Sequence, residues 1–222
     1  MTRNQFFITL AAIAIIAAAV AVYFLWTPGS SSDAITATGS GTPVTLQPDD
    51  RTMGNPKAKV LVVEYAAPSC PHCAHFDETI FPLLKKNYID TGKVYYVFRV
   101  FPLSQVDGAA EAMARCLPAE NYFQFIDLMF RNQPKWDPEY GVADPHEGLV
   151  EMGRIVGMSA DQVDKCIGDK NALDRINKVA TEGMTKYNIS ATPTFVIDGQ
   201  VHSGAYTWQD LQTFLDSQLK KK

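Results

Sequence analysis

The chain has 222 residues, of which 46% are hydrophobic and 20% charged, and its formal net charge is -4 at pH 7. That is enough chain for one or two domains with a sizeable core. The charge balance gives no sign of a nucleic-acid surface, and the end Lys220-Lys221-Lys222 reads as a solvated tail.

Arg3 precedes an apolar run from Phe6 to Trp26 that is interrupted only by Thr9. The run is long enough to cross a bilayer, and it also shares the design of a signal peptide. No cleavage site is obvious: Ser32-Asp33-Ala34 has the small-x-small pattern of one, but it lies well past the run. Residues 1–26 are therefore expected to be a signal anchor, with a cleaved signal peptide as the alternative. Arg51 is the first basic residue after the run, so the N-terminus is expected inside and the remaining chain outside. Residues 27–43 contain Pro28, Gly29, serines and Gly39-Ser40-Gly41-Thr42-Pro43, the composition of a flexible linker.

Residues 44–222 carry the globular pattern. Val44-Thr45-Leu46 reads as a short first strand, and Asp49 to Lys59 as a turn-rich approach. Val60-Leu61-Val62-Val63, between Pro56 and Pro68, is a buried strand by composition. It runs through Glu64-Tyr65-Ala66-Ala67-Pro68-Ser69 into Cys70-Pro71-His72-Cys73, which opens a helix that Pro82 should kink. Val94 to Phe101 is a second long strand, ended by Pro102. Strand, helix and strand in that order imply parallel pairing with a right-handed crossover. From about 107 to 188 the pattern is mainly helical, with a proline-rich loop around Trp136 to Pro145 and a cap at Ser159. Ala191 to Ile197, the turn Asp198-Gly199 and the return Gln200 to Ser203 read as a hairpin, followed by an amphipathic helix over 208–219.

A C-x-x-C pair at the start of a helix has a specific chemistry. The first sulfur sits where backbone N–H groups and the helix dipole favour a thiolate, the form that attacks disulfides. The second lies about one turn further in and suits a resolving role. The plainer readings are a structural disulfide or half of a zinc site, but a zinc site needs more ligands and no second C-x-x-C or H-x-x-H pair is present. All four cysteines (Cys70, Cys73, Cys116, Cys166) lie in the part expected to be exported, where disulfides persist.

Cys70-Pro71-His72-Cys73 at a strand–helix junction, with Thr192-Pro193 opening a distant hairpin, resembles the thioredoxin superfamily. The Pro71-His72 dipeptide and the helical stretch between the two halves resemble its DsbA-like branch of exported thiol–disulfide oxidoreductases. The resemblance covers about residues 44–219. It implies an α/β thioredoxin fold with a helical insertion between the βαβ and ββα halves, preceded by an N-terminal membrane-spanning or signal helix. It further implies Cys70 as nucleophile, Cys73 as resolving thiol and His72 as a stabiliser of the Cys70 thiolate. Pro193 matches the superfamily's cis proline, and the Thr192 backbone would pair with substrate beside Cys70. Glu64 matches a buried carboxylate able to exchange a proton with Cys73; a surface-facing Glu at a strand edge is the alternative.

Two departures bear on direction and architecture. The best-known DsbA oxidases carry valine before the cis proline, whereas Thr192 resembles isomerase-like relatives and some DsbA-like proteins. Those relatives rely on a separate dimerisation domain, and residues 27–43 are too short and polar for one, so a monomeric oxidase is expected. Cys116 and Cys166 fall in helices of the insertion. Some DsbA-like proteins carry a second bridge there, and two buried free thiols are the alternative.

The reading implies no cofactor and no resident metal. The partners implied are reduced, unfolded exported proteins and a DsbB-like quinone-linked membrane reoxidant. Its rivals are a reductase or isomerase kept reduced, a metal carrier using Cys70, His72, Cys73 and His75, and a holdase without redox turnover.

Overall fold

The computed structural model describes residues 37–39, 41–204 and 206–221. Its centre is a pair of parallel strands, β3 (Val60–Ala66) and β4 (Val94–Val100). Both are near-continuous apolar runs because both are covered on two faces. Alternation along β3 sends Val62 and Ala66 to one core and Val63 and Tyr65 to the other. The second half of the chain adds β5 (Thr194–Ile197) antiparallel to β3, and β6 (Gln200–Ser203) antiparallel to β5. Asp198 and Gly199 between them have φ of 49° and 83°, as a tight two-residue turn requires.

Two edge strands complete the order β1-β6-β5-β3-β4-β2. β2 (Arg51–Gly54) pairs antiparallel with β4 and falls inside the stretch read as a turn-rich approach. Val44 to Leu46, read as the first strand, is not one. Instead the Thr45 carbonyl accepts from the Arg99 guanidinium at 2.8 Å. Arg99 is buried on β4, binds Asp50 through two nitrogens at 2.9 and 2.8 Å, and donates to the Tyr65 hydroxyl at 2.8 Å. This buried ion pair, with the Thr45 contact, ties residues 45–50 to β4. The strand begins only after Asp50, where the free edge of β4 offers hydrogen bonds. β1 (Ala37–Gly39) lies within the expected linker and pairs antiparallel with β6. The exposed backbone of an edge strand recruits such a segment whatever its side chains.

After β3 the chain enters α1 (Pro71–Thr79). It breaks at Ile80, resumes as the one-turn helix α2 (Phe81–Leu84) containing Pro82, and finishes in a π-helical turn over Lys85–Ile89. The break precedes Pro82 by two residues, because a proline ring crowds the preceding turn and lacks an N–H. Between β4 and β5 lie α3 (Gln105–Cys116), α4 (Tyr122–Arg131), α5 (Gln133–Trp136), α6 (Pro145–Ile155), α7 (Ala160–Ile167) and α8 (Lys170–Tyr187). The sheet and these helices form one compact unit.

Trp136, expected in a loop, is fully buried in α5 and donates its indole N–H to Met129 O at 2.9 Å. α6 reaches it through Gly148, where a Cβ would lie 2.6 Å from Trp136 Cα. α8 covers the Val63–Tyr65 face, and α9 (Trp208–Lys221) closes the fold, sending Leu211 and Leu215 into the core that holds Val62. Among the described residues no helix is long and apolar enough to cross a membrane. The expected anchor at residues 6–26 lies outside them, as does most of the expected linker.

Candidate active site

The site is built where β3 ends and α1 begins. Cys70 is the N-cap of α1, with extended backbone at φ -71° and ψ 118°, and Pro71 supplies the preset φ of the first turn. A cap residue with a side-chain acceptor points that acceptor at the orphan N–H groups of the first turn. Here the acceptor is sulfur: the Cys73 N–H donates to Cys70 Sγ at 3.3 Å. The Cys70 thiol in turn faces the Thr192 carbonyl at 3.3 Å, and the Thr192–Pro193 peptide is cis. Residues 122 positions apart are thus brought together. Cys70 and Cys73 are both unbonded thiols and both are buried, Cys73 completely.

Their proton affinities diverge. Hydrogen bonding from the Cys73 side chain, joined by the Thr192 side chain and by the Cys73 and His72 backbone N–H groups, outweighs burial and lowers the Cys70 thiol to about 6. Burial raises Cys73 well above the ordinary thiol range, and its hydrogen bond to Cys70 and the charges of Cys70 and Glu64 add to the rise. One sulfur is therefore a thiolate near neutral pH while its partner holds its proton. The His72 and Pro71 side chains are exposed at the mouth, and it is the backbone of His72 that serves the sulfur.

Glu64 shares the parity of Val62 on β3, so it points to the side where α1 packs. It is 2% exposed and accepts from the Tyr96 hydroxyl at 2.7 Å. The surface-facing alternative for Glu64 does not describe it. Burial pushes its carboxyl up to about 8; the Tyr96 hydrogen bond opposes the rise, and the charges of Asp77 and Cys70 reinforce it. A carboxyl that keeps its proton at pH 7 and whose charge is felt by the buried Cys73 thiol is chemically able to exchange a proton.

Residues 46–217 match the family model described as thioredoxin. A Wolbachia pipientis structure, alpha-DsbA1, superposes with a TM-score of 0.73 at 31% identity, covering 80% of this chain and 94% of that one. The chain belongs to the thioredoxin family, in its DsbA-like branch. A Rickettsia felis protein named as a protein-disulfide oxidoreductase is 34% identical over 184 residues, or 81% of this chain and 64% of that protein. The chain thus spans just under two thirds of that relative's length. A Bacillus cereus protein named disulfide bond formation protein D is 26% identical over 175 residues, 77% of this chain and 79% of that one.

Away from the active turn of this DsbA-like chain, Cys116 and Cys166 are joined by a disulfide with Cα atoms 6.0 Å apart, linking the last residue of α3 to the last turn of α7. Among the described residues no group of three or more His, Cys, Asp or Glu is arranged to hold a metal ion.

Three residues around the turn are not visible to sequence reasoning as site residues. Tyr96 emerges only from the β3–β4 register. Asp107 carries a legible signal, since Ser104-Gln105-Val106-Asp107 has the spacing of a capping box; its reach to the turn does not follow from that spacing. Gln133 has no sequence signal at all.

Proposed function

We propose that this chain is an extracytoplasmic thiol–disulfide oxidoreductase that donates the Cys70–Cys73 disulfide to reduced, folding proteins. The observation that carries the reading is the opposed proton affinity of the two sulfurs. In the oxidised enzyme a substrate thiolate attacks Cys70 Sγ, the Cys70–Cys73 bond breaks and a substrate–Cys70 bond forms. Cys73 leaves and takes a proton, for which Glu64 is the nearby source. A second substrate thiolate then attacks the substrate sulfur of the mixed disulfide and releases Cys70 as a stable thiolate. The substrate loses two electrons, the enzyme gains them, and the low proton affinity of Cys70 makes it a good leaving group.

Thr192 and the cis Pro193 beside Cys70 suit backbone pairing with an extended substrate. His72 serves the thiolate through its backbone, and its exposed ring would meet substrate first. Reoxidation would fall to a DsbB-like quinone-linked membrane protein, with residues 6–26 as the tether that keeps the domain at the same membrane. The Cys116–Cys166 bridge serves as a structural staple of the insertion.

The testing measurement is the equilibrium of the Cys70–Cys73 pair with a glutathione buffer, read by alkylation and mass. Stabilising the reduced form raises the reduction potential, so the expected value lies well above the roughly -270 mV of thioredoxin. A thioredoxin-like value would overturn donation and favour a reductase or isomerase kept reduced, the reading to which Thr192 before the cis proline lends support.

A further inference from the structure

The turn that carries the nucleophile is gripped by two buried polar side chains, both supplied by the helical insertion. Asp107, on the first turn of α3, is fully buried. Its Oδ1 accepts from the Ser69 backbone N–H at 2.8 Å, and its Oδ2 from the Ser69 hydroxyl at 3.1 Å. The same Oδ2 accepts from the N–H groups of Leu103 and Ser104 at 2.9 and 3.0 Å. Gln133, on α5, is 3% exposed. Its amide nitrogen donates to Pro68 O at 2.8 Å and to Cys70 O at 3.1 Å. Its amide oxygen accepts from the half-exposed Tyr140 hydroxyl at 3.1 Å.

Capping α3 requires only that Asp107 reach Ser104. The second oxygen of Asp107 does something else: it leaves the helix and holds a residue 38 positions earlier in the chain. A purely packing position at 133 would be served by an apolar side chain, since a buried amide is costly unless both its ends are used. Here both ends are used, and the donor end falls on the backbone of the nucleophile itself. Together these bonds hold Pro68, Ser69 and Cys70 from both sides. The Cys70 N–H goes to Ala67 O at 2.9 Å, and its carbonyl also takes the Ala74 N–H at 3.0 Å, which leaves the residue little freedom to rotate. Sulfur at an N-cap is stabilised only while it stays in line with the first-turn N–H groups, and that alignment is a matter of Cys70 backbone angles.

We propose that Asp107 and Gln133 are positioning residues for the Cys70 thiolate, holding the Pro68-Ser69-Cys70 backbone so that the sulfur stays over the N-terminus of α1. Tyr140 orients the Gln133 amide from the surface. The inference rests on the oxidoreductase reading above and names the groups that set how readily that site releases its disulfide.

The test compares the full chain with Gln133→Leu, Asp107→Asn, Ser69→Ala and Tyr140→Phe. For each, the pH profile of Cys70 alkylation in the reduced protein is measured, with the glutathione equilibrium and the unfolding temperature of both redox forms. Gln133→Leu and Asp107→Asn are expected to move the alkylation midpoint upward by about one pH unit, an about tenfold loss of thiolate below the midpoint. The equilibrium constant for oxidising glutathione should fall by a similar factor. Tyr140→Phe and Ser69→Ala should move both in the same direction by about twofold, because each removes one supporting bond and leaves the main grip.

A lower unfolding temperature with unchanged midpoints in all four variants would overturn the proposal, leaving the two residues as braces of the insertion. If the two larger changes prevent folding, unchanged midpoints in Tyr140→Phe and Ser69→Ala would overturn it by themselves. If the unaltered protein fails to exchange with glutathione, the functional reading falls, while the alkylation profiles still decide whether Asp107 and Gln133 govern the Cys70 thiolate.

Discussion

Cys70–Cys73 and Cys116–Cys166 are two pairs of the same atoms placed at opposite ends of helices. Cys70 caps the start of α1, where an N–H points at its sulfur. Cys116 is the last residue of α3 and Cys166 the next-to-last of α7. At a helix start the unpaired groups are donors and the dipole is positive; at a helix end they are carbonyls and the dipole is negative. The helix start therefore offers Cys70 donors that favour a thiolate, whereas the helix ends present carbonyls to Cys116 and Cys166. A disulfide whose reduced form is stabilised is a reagent, and one whose reduced form is not is a staple. The chemistry of cysteine is common to both pairs; what sets Cys70 apart is the hydrogen bond from the Cys73 side chain, to which the first-turn N–H groups add.

The strongest way to break the comparison is to delete the reagent. Cys70→Ser should reduce thiol–disulfide exchange to background in a refolding assay with a reduced protein substrate, with little change in unfolding temperature. Residual exchange through Cys73 would mean that the helix-start position is not what confers reactivity.

Deleting the staple should leave a site but weaken its frame. Cys116→Ala with Cys166→Ala opens a bridge of sequence separation 50 and should cost about 4 kcal/mol in urea unfolding by loop entropy. A loss near zero would mean that the bridge is idle.

The buried carboxyl sharpens the contrast on the reagent side. Glu64 is raised from 4.5 in the unfolded chain to about 8 in the fold. Its contribution to stability is therefore full below pH 4.5 and lost as pH rises toward 8. Glu64→Gln lacks that loss and should be more stable than the unaltered chain at pH 7, by on the order of 2 kcal/mol, with the gap closing below pH 5. On the proposed proton transfer from Glu64 to Cys73, the same change should slow disulfide exchange. A variant that is less stable at pH 7 would contradict the assignment of a neutral carboxyl.

The smallest effect is the most direct reading of the hydrogen bonds at Cys70. With Cys70 at about 6, its alkylation rate in the reduced protein should rise about tenfold between pH 5 and pH 7 and then level off. An ordinary thiol would still be climbing at pH 8. The sign for stability follows: a thiol lowered from 9.0 to about 6 contributes fully above pH 9 and loses that contribution as pH falls to 6. The reduced form should thus gain on the oxidised form between pH 6 and pH 9 in paired urea titrations.

The parts of this molecule legible in its sequence share one property: their signals are local. The β-branched run at Val60, the cysteines with Pro71 and His72 between them, the Asp198-Gly199 turn and the Ser159–Gln162 cap each lie within a few residues. Even the cis peptide at Thr192–Pro193 is a local feature, though an X-Pro bond is trans by default and only resemblance pointed to cis. β2 was not legible, because Arg51 to Gly54 is a strand only by virtue of the free edge of β4. The same holds for β1 on β6. Arg99 sits in a run that reads as an ordinary buried strand, and nothing near it announces Asp50 as its partner, 49 positions away.

By itself, then, the amino-acid order determined which two sulfurs open a helix, and so the class of chemistry. The tertiary structure decided which groups surround them. Tyr96 on Glu64, Asp107 on Ser69 and Gln133 on Cys70 are joined across 32, 38 and 63 positions. Each is a polar group that folding removes from water and that must find a partner wherever the packed chain provides one. Backbone propensity acts over one turn of helix or one strand, whereas the cost of an unpaired buried group is settled only when distant segments meet.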